Sequence, residues 1–312
     1  MLTSRQPTGV RVRRGLVGHG QGALHVRWAG DGPALVALHE SPRSSLSLLP
    51  LLDGLAARRT VVAFDTPGYG HSDPLAADSP TGADYAAAFA RALDALGLAR
   101  ASLYGTHTGA ALAVELALRQ PHRVAGLLLD GFAAFDVEER ADFVGRYLAP
   151  FEPSWDGAHL AQLWSRCKDL FVWFPYHVRT AHARLAIDPP AVARVHDTVL
   201  GFLMAGAGYA KGYRCAGVLD AAAAVAALRV PTTVTARPHD LLHAHLERIH
   251  PTAHVRVARI GPAADEWLAC VDAALPGADG AAGLATRLRA PHRDGWQRVL
   301  VEIGDGYLNA LE

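Results

Sequence analysis

The stretch "LYGTHTGAALAVELA", residues 103–117, decides the fold. It reads as a strand that passes through a sharp glycine turn into an amphipathic helix, with His107 presented at the tip. Working outward, "TGADYAAAFARALDALGL" (81–98) opens on a capping threonine, Thr81, and carries apolar residues at helical intervals, so it is a helix leading into the strand "ASLYG" (101–105). "VAGLLLDG" (124–131) is the next strand. Upstream, "ALHVRWAG" (23–30), "ALVALHE" (34–40) and "TVVAFDTPGYG" (60–70) read as strands, with "SLSLLPLLDGLAA" (45–57) at helical spacing between the last two. The alternation predicts an α/β fold with a mostly parallel central sheet and helices on both faces.

From about Phe132 to Ala216 the alternation stops. The chain turns helical, aromatic and irregular, as in "SWDGAHLAQLWSRCKDLFVWFPYH" (154–177), before "VPTTVTARPHD" (230–240) and "AHVRVARIG" (253–261) resume the pattern. An insertion of this size between sheet strands predicts a helical lid over the strand ends, where open α/β sheets hold their ligands. Trp155, Trp164, Phe171, Trp173, Phe174 and Tyr176 either wall an apolar pocket, with Trp164, Phe171, Trp173 and Phe174 as candidates, or form the lid's own core. The expected division is a core of residues 1–131, a lid of 132–216, a second part of the core over 217–290 and a tail from 291 to 312.

Composition bounds the function. The chain has 312 residues, half of them apolar, enough for one large α/β domain with a modest insertion. Thirty basic and thirty acidic residues give no net charge and hence no field to hold nucleic acid. The run at Arg11, Arg13 and Arg14 reads as a solvated lead-in. No apolar run approaches the roughly 18 residues of a membrane span. Three cysteines without metal-ligand spacing suit a reducing compartment. The expectations are a cytoplasmic protein with a small-molecule substrate, no nucleic-acid or membrane partner, no cofactor, and a homodimer as one arrangement open to it. Sixteen histidines, with a cluster at His239, His243, His245 and His250, invite a metal reading; polar positions on an exposed helix face are the favoured account of them.

In order and spacing, "LHESP" (38–42), "DTPGYGHSDP" (65–74), "GTHTG" (105–109), the insertion and "RPHD" (237–240) resemble the α/β-hydrolase superfamily, from about residue 20 to residue 275. Among its branches the chain resembles the lidded one that holds esterases, epoxide hydrolases, haloalkane dehalogenases and carbon–carbon bond hydrolases. The resemblance implies a nucleophile elbow, usually G-x-S-x-G, and three departures follow. His107 stands where the nucleophilic serine is usual. No histidine follows the last strand in "ARIGPAADEW" (258–267), where the family's base is usual. Glu40 replaces the glycine that follows His39 in the oxyanion turn. Asp240 falls on the usual acid position and Asp130 on an alternative one. The amides of Ser41 and Thr108 are the candidate oxyanion donors, while Glu40 and Arg43 set polarity at the mouth.

Three readings of His107 remain open. Neutral imidazole has a free lone pair near pH 7, so it can attack an activated acyl group, with Asp240 or Asp130 fixing its tautomer. It can instead act as general base or acid, in hydrolysis, lysis or isomerisation. Or the centre has decayed and the fold only binds a ligand. A metal held by His39, Glu40, His107 and Asp240 is a fourth arrangement, but in this family's motif the His39 position turns back to brace its loop, and no metal is assigned. One feature lies outside the family pattern: "RRGLVGHGQGALHVRW" from Arg13 and "QRVLVEIGDGYLNALE" from Gln297 match at six positions, both as hairpins around Gly-x-Gly, which predicts that the tail pairs with the N-terminal hairpin.

Overall fold

The computed structural model describes residues 9–278, position 284 and the two short strands 298–303 and 306–311. Its main sheet has eight strands: β1 (Arg13–Gly18), β2 (Ala23–Ala29), β3 (Ala34–Leu38), β4 (Thr60–Phe64), β5 (Ala101–Thr106), β6 (Val124–Asp130), β7 (Thr232–Ala236) and β8 (Val255–Arg259). They lie in the order β1-β2-β4-β3-β5-β6-β7-β8. From β4 to β8 every pairing is parallel, whereas β1 and β2 form an antiparallel hairpin that joins β4 through β2. This is the α/β-hydrolase fold, a mostly parallel sheet flanked by helices.

Alternation along the strands builds two cores. In β3, Ala34, Val36 and Leu38 face one side with Leu93, Leu112 and Val225, which belong to α2 (Gly82–Ala95), α3 (Thr108–Arg119) and α8 (Ala221–Ala227). Leu35 and Ala37 face the other with Leu51, Leu52 and Val271 of α1 (Leu49–Leu55) and α9 (Ala264–Ala274). A parallel strand buried on both faces must be apolar throughout, which is why β3, β4 and β6 read as unbroken apolar runs. Between β6 and α8 come α4 (Val137–Asp142), α5 (Ala158–Asp169), α6 (Val192–Ala205) and α7 (Ala210–Val218); the last three share a core of their own with the turn after α4, around Phe143, Tyr147, Leu163 and Phe202.

Strands β9 (Arg298–Ile303) and β10 (Gly306–Leu311) pair antiparallel with each other, as the Gly-x-Gly pattern predicts. They form a separate two-stranded sheet; the described residues show no hydrogen-bonded register between them and the hairpin of β1 and β2. The remainder of the expected tail lies outside the described residues.

Asp65, just past β4, ties the sheet end to the loop before α1. Its buried carboxylate accepts from the backbone and hydroxyl of Ser45 (2.7 and 2.5 Å), from the amide of His71 (2.9 Å) and from His25 Nδ1 (2.9 Å). The other nitrogen of His25 accepts from Arg14 Nε at 3.0 Å, so the proton is on Nδ1. Burial alone would raise the Asp65 pKa, but His25 and Arg27 hold it far below the usual carboxylate range. Gly70 is required beside it, since a Cβ there would sit 2.2 Å from Asp65 Oδ2. Asp65→Ala strands three buried donors and a guanidinium and should cost about 3 kcal/mol or more, read as a lower urea midpoint at unchanged slope. Because the folded pKa is depressed, this contribution is present above the ordinary carboxylate range and declines as pH falls through it.

Candidate active site

The site is built where β5 turns into α3. A Cβ on Gly105 would lie 2.5 Å from Gly109 O, and one on Gly109 would lie 2.3 Å from Leu38 O. The backbones of β5, α3 and β3 therefore touch, and only glycine fits at either position. The turn between them puts His107 at φ 48°, ψ −112°, the one non-glycine residue with positive φ among the described residues. Such a conformation costs on the order of 1–3 kcal/mol. Hydrogen bonds hold it: His107 N–H donates to Asp130 O (3.0 Å), and His107 C=O accepts from Ala110 N (3.0 Å). Gly131 gives the ring its space, because a Cβ there would come within 2.5 Å of His107 Cδ2.

Asp240 meets this ring from the loop after β7. Its Oδ2 lies 2.8 Å from His107 Nε2, and its Oδ1 accepts from Leu242 N at 2.8 Å. Burial opposes a charge on the imidazole, but the neighbouring Asp240, with smaller help from Glu40 and Asp130, outweighs it and pushes the pKa up to about 9. Asp240 moves oppositely, to about 2: His107 and the Leu242 amide prevail over burial. At neutral pH the pair is thus an imidazolium and a carboxylate, not the neutral imidazole that an ordinary histidine would supply. Nε2 is engaged with the carboxylate, which leaves Nδ1 for the cavity that His107 lines.

That cavity has a volume of about 490 Å³. Ser41, Thr108, Glu40, Arg43 and Asp240 line it with His107. Thr108 is the first residue of α3, where a backbone N–H has no acceptor inside the helix, so its amide and the positive end of the helix dipole bear on the cavity. Glu40 accepts from Ser47 Oγ (3.0 Å) and pairs with Arg43 (3.5 Å), a cation partner at the cavity wall and not a solvent-facing group. His39 is buried behind the wall: Nδ1 donates to Glu40 O (2.8 Å) and Nε2 accepts from Thr66 N (3.0 Å). With both nitrogens used it braces its loop, and the described residues contain no group of three or more metal-ligating side chains placed to hold an ion.

Several expected residues sit elsewhere. Asp130 does not bond the His107 ring; its Oδ2 accepts from Tyr104 Oη (2.6 Å) and Trp267 Nε1 (2.8 Å). Burial raises its pKa. Phe171 and Phe174 line the cavity, but Trp164 and Trp173 do not. Trp164 lies on the outer face of α5, one position past buried Leu163, and Trp173 lies beneath the Arg179 guanidinium. Trp155 is fully exposed. His243 Nδ1 donates to Ala236 O (3.2 Å) and His245 Nδ1 accepts from Ala134 N (3.0 Å), so two of the clustered histidines are structural. Sequence reasoning missed Arg194 and Arg237 on the cavity wall. Arg237 was legible as the cation opening "RPHD"; Arg194 carried no signal beyond being a lone arginine in its helix.

Comparison with known proteins supports the fold. A family model described as the alpha/beta hydrolase fold matches residues 33–169. Over 115 residues the chain is 31% identical to a 2-hydroxy-6-oxo-6-phenylhexa-2,4-dienoate hydrolase of Comamonas testosteroni, covering 35% of this chain and 39% of that protein. Over 116 residues it is 39% identical to a 2-hydroxy-6-oxononadienedioate/2-hydroxy-6-oxononatrienedioate hydrolase of Pseudomonas putida, covering 35% and 40%. These matches span about two fifths of either relative's length. Epoxide hydrolase A of Mycobacterium thermoresistibile superposes with a TM-score of 0.63 at 20% identity, over 86% of this chain and 99% of that one. A bacterial membrane phospholipase A gives 0.62 at 20% identity, over 85% and 87%. No helix among the described residues is long and apolar enough to cross a membrane.

The ion pair sets a pH window. His107 is raised, so its contribution is full below the free-histidine pKa near 6.5 and lost as pH rises through about 9; Asp240 is lowered, so its contribution is full above about 3.8 and lost as pH falls through about 2. Asp240→Asn should therefore destabilise the protein most between pH 4 and 6.5, by on the order of 2 kcal/mol. In NMR titration the His107 midpoint should fall from about 9 toward the ordinary histidine range in that variant. An unchanged midpoint would break the assignment.

Proposed function

We propose that this α/β-hydrolase-fold chain is a hydrolase-like enzyme acting on a small, largely apolar ester, lactone or related carbonyl compound, with His107 moving the proton and residues 132–216 serving as the lid. The observation that carries this reading is the 2.8 Å contact between His107 Nε2 and Asp240 at the tip of a strained turn that opens on a cavity. The dyad resembles the histidine–acid half of a triad, moved to the place where the serine would stand.

Hydrolysis then uses water directly. In the deprotonated form, His107 keeps the Nε2 proton on Asp240 and presents the Nδ1 lone pair. Nδ1 takes a proton from water as the water oxygen bonds to the acyl carbon. The carbonyl oxygen becomes an oxyanion, taken by the amides of Thr108 and Ser41. Collapse breaks the bond to the alkoxy group, and Nδ1–H returns the proton to the leaving oxygen. Direct attack by Nδ1 would give an acyl-imidazole, but Nδ1 sits beside the ring carbon that bears Cβ. That crowding hinders bonding to a carbonyl carbon more than it hinders transfer of a proton. The same base could also take a proton from a carbon acid, the route to lyase or isomerase chemistry.

The test is nitrophenol release from short nitrophenyl esters, by the wild type and by His107→Ala matched for folding by circular dichroism. The variant should lose about 100-fold or more. In the wild type kcat/KM should climb about tenfold per pH unit and level near 9, because only the deprotonated imidazole is the base. Equal rates in the two proteins, or none in the wild type, would remove the hydrolase reading. A stable adduct on His107 by mass spectrometry would reassign it as nucleophile.

A further inference from the structure

Three arginines from three different parts of the chain reach one cavity. Arg43 comes from the loop after β3, Arg194 from α6 and Arg237 from the turn after β7. Arg43 has Glu40 at 3.5 Å. No carboxylate among the described residues forms an ion pair with Arg194 or Arg237. Both lie on aromatic rings instead, Arg194 5.2 Å from the Phe171 centroid and Arg237 5.0 Å from that of Trp267. An aromatic face orients a guanidinium without neutralising it.

The seats of these groups are fixed. Trp267 is held by its bond to Asp130, so the indole beneath Arg237 has a set position. Helix α6 lies directly on the loop that carries Arg43: a Cβ on Gly201 would be 2.9 Å from Pro42 O. The contact keeps Arg194 and Arg43 on adjoining surfaces. They sense each other, since Arg43 and, more weakly, Arg237 add to burial in lowering the Arg194 pKa, with Glu40 opposing them. The carboxylates of the wall are already committed, Glu40 to Arg43 and Ser47 and Asp240 to His107. Three guanidinium groups on one wall, with no carboxylate ion-paired to Arg194 or Arg237 among the described residues, leave room for an external anion.

We propose that the cavity takes substrates bearing a carboxylate, held in the field of Arg194 and Arg237 with Arg43 at the loop, while Phe135, Phe143, Phe174 and Tyr147 receive an apolar remainder. The proposal rests on the cavity's being the substrate site and names the class of substrate. A planar carboxylate matches the guanidinium fork, and the aromatic wall accounts for the rest of the molecule better than a phosphate-sized ion would.

Calorimetric titration tests it without turnover. The probes are 4-phenylbutyrate, its neutral isostere 4-phenylbutanamide, and inorganic phosphate. The proteins are the wild type and the double variant Arg194→Gln/Arg237→Gln, checked for folding by circular dichroism. The carboxylate should bind the wild type about tenfold or more tightly than the amide, and added salt should shrink that margin. The double variant should bind both alike, with the amide's own affinity retained as evidence that the apolar wall survives. Equal affinities in the wild type, a preference that survives the double variant, no binding of the carboxylate, or tighter binding of phosphate would each overturn the proposal. Since no reaction is measured, a carboxylate preference stands even if the esters are not turned over, and ester turnover without that preference sinks only this inference.

Discussion

The contact of three backbones at Gly105, Gly109 and Leu38 is the constraint from which the rest of the site follows. Because β5 and α3 meet without intervening side chains, the single residue between Thr106 and Thr108 has no relaxed conformation to adopt. Its side chain is presented at the C-terminal edge of the parallel strands, beside the loops that follow β3, β6 and β7. Everything that addresses the ring comes from one of those loops. Asp240 follows β7 and Gly131 follows β6, while Ser41, on the loop after β3, lines the same cavity. The sheet thus converts a local strain into a fixed address for one imidazole.

Electrostatics then decides what that imidazole is. A histidine alone titrates near neutrality, and burial would lower it further. Asp240 reverses the outcome, so the resting group is an acid in the cavity and becomes a base only toward alkaline pH. Below it, Tyr104 and Trp267 surround Asp130, a carboxyl whose pKa is raised by burial. The two acids near the elbow have therefore separated in role. One bonds the ring, and the other secures the floor.

Much of the architecture was legible because it rests on short-range rules. Strand runs, the capping box at Thr81 and the glycine spacing around His107 each declare themselves within a few residues. The partnership of Asp240 with His107 followed from resemblance, since 133 residues separate them. Legibility failed where the answer depended on which way a side chain turns. Trp164 and Leu163 are neighbours in sequence, and only helix packing tells that one is buried and the other faces outward. Asp130 stood at a strand end like an acid of the site, but the hydroxyl and indole that claim it come from β5 and α9. Arg194 and Arg237 become a pair only when helix α6 and the turn after β7, distant in sequence, meet on one cavity.

The bare α-carbon of Gly201 against Pro42 has a mechanical consequence. Helix α6 and the loop after β3 adjoin without a side chain to cushion them, so an outward movement of the helix that breaks this contact would also withdraw Arg194 from Arg43. Access and charge are thereby geared together: any opening along this seam would part the positive wall as well.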